Sequence, residues 1–118
     1  MYKLTIHTRF SAAHFLQDYP GACAQVHGHN WKVEVRVQAE ELDESGMAID
    51  FHDLKARTRE IVEGLDHRYL NDLPAFQRQN PTAENIARLI FEEARALHLP
   101  VAAVRLWETR TACAEYRE

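Results

Sequence analysis

The stretch Asn30-Trp31-Lys32-Val33-Glu34-Val35-Arg36-Val37-Gln38 alternates throughout, with Trp31, Val33, Val35 and Val37 on one side and Lys32, Glu34, Arg36 and Gln38 on the other. Successive side chains of a strand point to opposite faces, so this pattern predicts a strand with one face buried and one in water. The polar turn Glu44-Ser45-Gly46 marks its end. Upstream, Tyr2, Leu4 and Ile6 alternate with Lys3, Thr5 and His7, and the same phase carried forward reaches Phe10, Ala12 and His14. Two half-buried strands therefore open the chain.

The period then changes. Asp50 is placed to cap a helix with Asp53 near its positive end, and Phe51, Leu54, Thr58, Ile61, Val62 and Leu65 recur at helical spacing, which predicts a helix over 51–65. After a loop containing Pro74 and Pro81, Thr82 caps a second predicted helix in which Ile86, Leu89, Ile90, Ala94 and Leu97 form one apolar stripe, closed by Pro100. Residues 101–108 and 112–116 read as short strands joined by Thr109-Arg110-Thr111. The order strand, strand, helix, helix, strand, strand predicts an α+β fold, a four-stranded antiparallel sheet with two helices on one face.

At 118 residues and 46% hydrophobic content the chain has material for one core, so residues 1–118 read as a single domain. A domain this small has few inward positions to spare, and a deep site is expected to need a second copy of the chain. The formal charge is −4 and the Lys and Arg residues are scattered, which gives nucleic-acid binding no electrostatic support. No window approaches the roughly 20 apolar residues of a membrane span, and the N-terminus has no export signal. The expectation is a soluble cytoplasmic protein whose two cysteines, Cys23 and Cys113, are free thiols.

Of seven histidines, three combine spacing with phase. His27-Gly28-His29 aims two imidazoles to one face of a strand, in the inward phase of Trp31 and Val33, and Gly28 leaves room for close approach. His14 shares the inward phase of the first strand and supplies a third nitrogen if the two strands pair. Three neutral imidazoles with an open fourth position describe a catalytic zinc site. The competing reading is that these are ordinary polar residues near strand ends, while His7, His52 and His98 read as solvated or capping histidines. A structural Cys-His site is disfavoured because the two cysteines do not stand at finger spacing.

Cys23 lies four residues before His27 in a stretch with neither strand nor helix pattern. Alone it reads as a small buried residue; beside a metal, its thiolate becomes available as a base. Asp66-His67 directly follows the first predicted helix, and a carboxylate next to an imidazole can hold or relay a proton, though adjacent side chains need not touch. Glu108 falls in phase with Val104 and Leu106 and so points inward, where a carboxylate needs partners. A planar ligand with an amino group beside a ring N–H would satisfy both its oxygens.

Together, Phe10-Ser11-Ala12-Ala13-His14, Cys23-Ala24-Gln25-Val26-His27-Gly28-His29, Gly46-Met47-Ala48-Ile49-Asp50-Phe51, Leu65-Asp66-His67, Pro81-Thr82-Ala83-Glu84-Asn85 and Trp107-Glu108-Thr109 make the chain resemble the 6-pyruvoyltetrahydropterin synthase family over nearly its whole length. The spacing Cys-x3-His-Gly-His is similar to the bacterial branch that forms 6-carboxytetrahydropterin for queuosine and 7-deazapurine biosynthesis. The resemblance implies Zn2+ on His14, His27 and His29, a proton-abstracting Cys23 with Asp66 and His67 as relay partners, and Glu108 gripping the guanidine-like edge of the pterin. It also implies that Thr82 and Glu84 line the pterin pocket, while Ala83 stands where some relatives carry a hydroxyl. The implied architecture is the tunnelling fold, in which subunits join their sheets into a barrel, as a trimer-based homo-oligomer or hexamer with active sites between subunits.

The implied reaction is a carbon-carbon lyase step that converts 7,8-dihydroneopterin triphosphate to 6-carboxy-5,6,7,8-tetrahydropterin, triphosphate and acetaldehyde. Two rivals stand beside it. One is a 6-pyruvoyltetrahydropterin synthase acting on the same substrate, and the other is a zinc- or pterin-binding protein without turnover. Cys23, Asp66 and His67 beside the predicted ligands count against the second.

Overall fold

The computed structural model describes residues 1–21 and 24–118. The two alternating segments form long strands, β1 (Tyr2–His14) and β2 (His27–Ala39), each of 13 residues, paired antiparallel along their whole length. Phe10 faces Trp31, Ala12 faces His29 and His14 faces His27. The phase expected for both strands is the one observed, since Ile6, Phe10 and Ala12 are buried with Trp31, Val33, Val35 and Val37. β2 stops at Ala39, well before the Gly46 turn that was expected to end it. That turn is nevertheless real: the Gly46 amide donates to the Asp43 carbonyl, and Gly46 takes a left-handed φ of 81°.

Helix α1 (Phe51–Glu63) begins at Asp50, whose carboxylate accepts from the His52 amide, and buries Leu54, Thr58, Ile61 and Val62. Phe51, expected in the apolar stripe, is 50% exposed, because the stripe turns toward the sheet only from Leu54 onward. Helix α2 (Ala83–Ala96) is capped by Thr82, and its buried residues are Ile86, Ala87, Ile90, Phe91 and Ala94. Strands β4 (Val101–Thr109) and β5 (Ala112–Arg117) complete the chain.

The sheet has five strands rather than four. Arg68–Tyr69 forms a two-residue strand, β3, that runs parallel to the end of β1, pairing Ala12 with Arg68 and Ala13 with Tyr69. Two residues are too few to show an alternation, which is why the sequence pattern does not reveal it. The order is β3-β1-β2-β4-β5, a mixed sheet with α1 packed against β1 and α2 against β4 and β5. The other sheet face is polar: Arg36 and Arg105 both reach Glu115, at 3.1 and 3.0 Å, and the Trp107 ring N–H donates to Glu34. The chain is elongated, 53 × 23 × 23 Å. Among the described residues, no helix is long and apolar enough to cross a membrane.

The α2 cap also bears on the site. Thr82 Oγ1 accepts from the Asn85 amide, and the preceding Pro81 carbonyl accepts from the His14 ring at 2.7 Å. Thr82→Ala is expected to lower stability by about 1 kcal/mol, the usual cost of losing a hydroxyl cap. Urea unfolding measures it, and an unchanged midpoint would show that the cap contributes nothing.

Candidate metal centre

The register of β1 and β2 brings His14, His27 and His29 together at one end of the ladder, with ring centroids 4.5, 5.2 and 4.9 Å apart. Beneath them lies Trp31, fully buried, its ring about edge-on to His14 and His29 at 5.0 and 5.1 Å. Trp31 is in turn fixed by stacking on Phe10 and by an N–H bond to the Ala12 carbonyl. The imidazoles thus stand on a rigid aromatic floor.

Ring orientation is set by backbone carbonyls. His14 Nδ1 lies 2.7 Å from the Pro81 oxygen and His27 Nδ1 2.7 Å from the Gln25 oxygen, so in each neutral ring Nδ1 carries the hydrogen and donates it. That leaves Nε2 as a bare lone pair, the arrangement in which metal-binding histidines are usually held. His14 Nε2 and His29 Nε2 are both buried without a hydrogen-bond partner. Burial pushes the pKa of His14 down against the pull of the Pro81 bond and Glu108, and burial likewise lowers that of His29 against the charge of Glu108.

Glu108 is the fourth member. Its Oε1 lies 3.1 Å from His29 Nε2 and 3.4 Å from His14 Nε2, in contact with both rings. The register of β4 against β5 shifts between Trp107 and Thr109, so Glu108 is the extra residue of a bulge that turns its side chain to this end of the sheet. One donor atom from each of His14, His27, His29 and Glu108 falls within 4.8 Å of the others, a group able to hold a metal ion. Three imidazoles and a carboxylate suit zinc or a similar divalent ion. Glu108 also borders a cleft of about 620 Å³ lined by Arg9, Lys32, Trp107 and Arg110.

Asp66 and His67 lie apart from this group, at the junction of α1 and β3. Their side chains do touch, with His67 Nδ1 3.0 Å from Asp66 Oδ1. The Ser11 amide donates to Asp66 at 2.8 Å, and this bond, followed by the contact with His67, holds the Asp66 carboxyl below its ordinary pKa. His67 has a left-handed φ of 56°, donates its amide to the Ser11 carbonyl and leaves its ring 82% exposed, in a shallow groove it shares with His29. Thr82 is occupied as the α2 cap, while Glu84 is exposed and lines a second groove with Glu108 and Cys113. Gly28 was expected to allow close approach, yet a Cβ there would meet only the Ala12 carbonyl at an ordinary 3.7 Å. Cys23 lies outside the described residues.

Sequence reasoning named the three histidine donors but read Glu108 as a ligand-binding residue and not as a fourth donor, and it missed the supports. Trp31 reads as core by phase, and nothing in a sequence marks the Pro81 and Gln25 carbonyls as ring partners. A pH dependence follows for the chelator-treated, metal-free protein. Because folding lowers the pKa of His14 and His29 from 6.5, the unfolded chain takes up more protons below that pH. Stability is therefore expected to be level above about pH 6.5 and to fall as the pH drops below it. Melting temperatures at pH 7.5, 6.0 and 5.0 check this, and a constant value would contradict it.

A profile of the 6-pyruvoyl tetrahydropterin synthase family matches residues 3–118. A protein of Archaeoglobus fulgidus, provisionally named a 6-carboxy-5,6,7,8-tetrahydropterin synthase, is 43% identical over 95% of this chain and 92% of its own length. The Haemophilus influenzae protein named 6-carboxy-5,6,7,8-tetrahydropterin synthase is 32% identical across both full lengths. The solved structure of Caenorhabditis elegans 6-pyruvoyl tetrahydropterin synthase superposes with a TM-score of 0.90 at 27% identity, covering 99% of this chain and 95% of that one. Sequence and fold agree that the chain belongs to the 6-pyruvoyl tetrahydropterin synthase family and is a lyase-type enzyme.

Proposed function

We propose that the chain is a zinc-dependent lyase that converts 7,8-dihydroneopterin triphosphate to 6-carboxy-5,6,7,8-tetrahydropterin, triphosphate and acetaldehyde in queuosine and 7-deazapurine biosynthesis. The observation that carries it is the convergence of His14, His27 and His29 with two Nδ1 atoms anchored on carbonyls and the lone pairs of Nε2 left free. These three residues would hold the zinc, which supplies Lewis acidity toward the side-chain oxygens of the substrate. The names of the Archaeoglobus and Haemophilus relatives support the carboxy product.

In this reading Cys23 takes the proton from the substrate side chain, and Asp66 orients His67 to return or relay one. Glu108 accepts paired hydrogen bonds from the amino group and ring N–H of the pterin, with Thr82 and Glu84 at the pocket wall. Arg9, Lys32 and Arg110, in the cleft beside Glu108, supply positive charge suited to the triphosphate. In the same proposal the chain works as a trimer-based homo-oligomer or hexamer in which neighbouring copies complete each site, since a domain this small has few inward positions for a deep pocket. A cytoplasmic location belongs to the same proposal.

Incubating the purified protein with dihydroneopterin triphosphate and weighing the products tests the reaction. The solved Caenorhabditis structure favours a second reading, a 6-pyruvoyl synthase acting on the same substrate, and the product separates the two. Glu108→Gln, which exchanges one acceptor oxygen for a donor, is expected to weaken pterin binding more than tenfold, since charge-assisted hydrogen bonds are worth roughly 1.5–3 kcal/mol each. Normal binding with lost turnover would instead put Glu108 in the proton relay.

A further inference from the structure

We infer that Glu108 closes the three-histidine metal site in the resting enzyme and leaves it when a pterin binds, so that one carboxylate serves first as a metal ligand and then as the anchor of the ligand. The inference rests on the reading of His14, His27 and His29 as zinc ligands.

Spacing is the first argument. Donors about 2.0–2.1 Å from a tetrahedral ion stand roughly 3.3–3.4 Å from one another. Glu108 Oε1 lies 3.1 and 3.4 Å from two of the three histidines, close to that spacing, and all four donors fall within 4.8 Å of one another.

Charge is the second. With its Nδ1 hydrogen given to Pro81, neutral His14 turns the lone pair of Nε2 toward the carboxylate, 3.4 Å away. Two electron-rich atoms in contact at a partly buried site repel unless a cation lies between them.

Freedom to move is the third. The His14 side chain is 2% exposed and that of His29 21%, while that of Glu108 is 33% exposed and sits on a bulge. Glu108 also borders the cleft with Arg9, Lys32 and Arg110. A pterin in that cleft offers two N–H donors to the carboxylate, and its side-chain hydroxyls can take the position that Glu108 vacates. A site of three nitrogens and one oxygen is closed to other ligands, whereas catalysis needs an open position. The ligand would open the site by drawing Glu108 away.

Zinc affinity by competition with a chromophoric chelator is measured for the wild type, Glu108→Gln, Glu108→Ala and His27→Ala. Both Glu108 variants are expected to lose at least about tenfold, since even groups that only support a metal ligand are worth about 10–100-fold. On the wild type alone, infrared difference spectra should show a glutamate carboxylate band that shifts on zinc loading and returns on adding neopterin. Wild-type affinity in both Glu108 variants, or no carboxylate band on loading, overturns the inference. If His27→Ala loses zinc while the Glu108 variants do not, this inference alone fails. If His27→Ala keeps zinc, the three-histidine reading fails as well.

Discussion

His27→Ala is expected to abolish zinc binding at micromolar metal and with it all measurable turnover. The substitution leaves two imidazoles and at most one carboxylate, and a site that has lost a direct ligand should weaken by more than the roughly 100-fold that supporting groups can be worth. The fold should survive. His27 is partly exposed at the last pair of the β1–β2 ladder, outside the apolar core, so the metal-free variant should melt within about 0.5 kcal/mol of the metal-free wild type. Metal analysis after gel filtration, with the wild type expected near one zinc per chain, gives the answer. Full occupancy in the variant would remove His27 from the site.

Cys23→Ala carries the second large effect. The thiol is proposed as a base and not as a ligand, so zinc and pterin should bind as in the wild type while turnover falls by about 10²–10⁴-fold, the usual worth of a general base. The pattern matters as much as the size: a loss confined to kcat, with pterin affinity intact, is what removal of a proton-transfer group produces. Turnover within a fewfold of wild type would leave Cys23 as a packing residue and take the Asp66–His67 relay with it.

The parts of the molecule that were readable in its sequence are those governed by period. Phase placed His14, His27 and His29 on the buried face of β1 and β2, and cap chemistry set the starts of α1 and α2 at Asp50 and Thr82. β3 escaped because two residues carry no period, and Phe51 was misplaced because a helical stripe does not say at which turn the helix meets the sheet. Glu108 was expected to face inward; its side chain is 33% exposed and touches His14 and His29. Its approach to the histidines, however, depends on a bulge that alternation cannot reveal. The contact between Asp66 and His67 accompanies a left-handed backbone at His67, an uncommon conformation that no periodic pattern reveals.

The pairing of His14 with His27 has a consequence for how the strands find each other. Apolar alternation is blind to a slip of two residues, because every side chain stays on its own face. Such a slip would keep Trp31, Val33 and Val35 buried, yet it would carry His27 and His29 about 7 Å along β1 and scatter the four donors. The donor cluster therefore distinguishes alignments that burial alone leaves nearly degenerate, and an ion held there would act as a proofreader of strand registration.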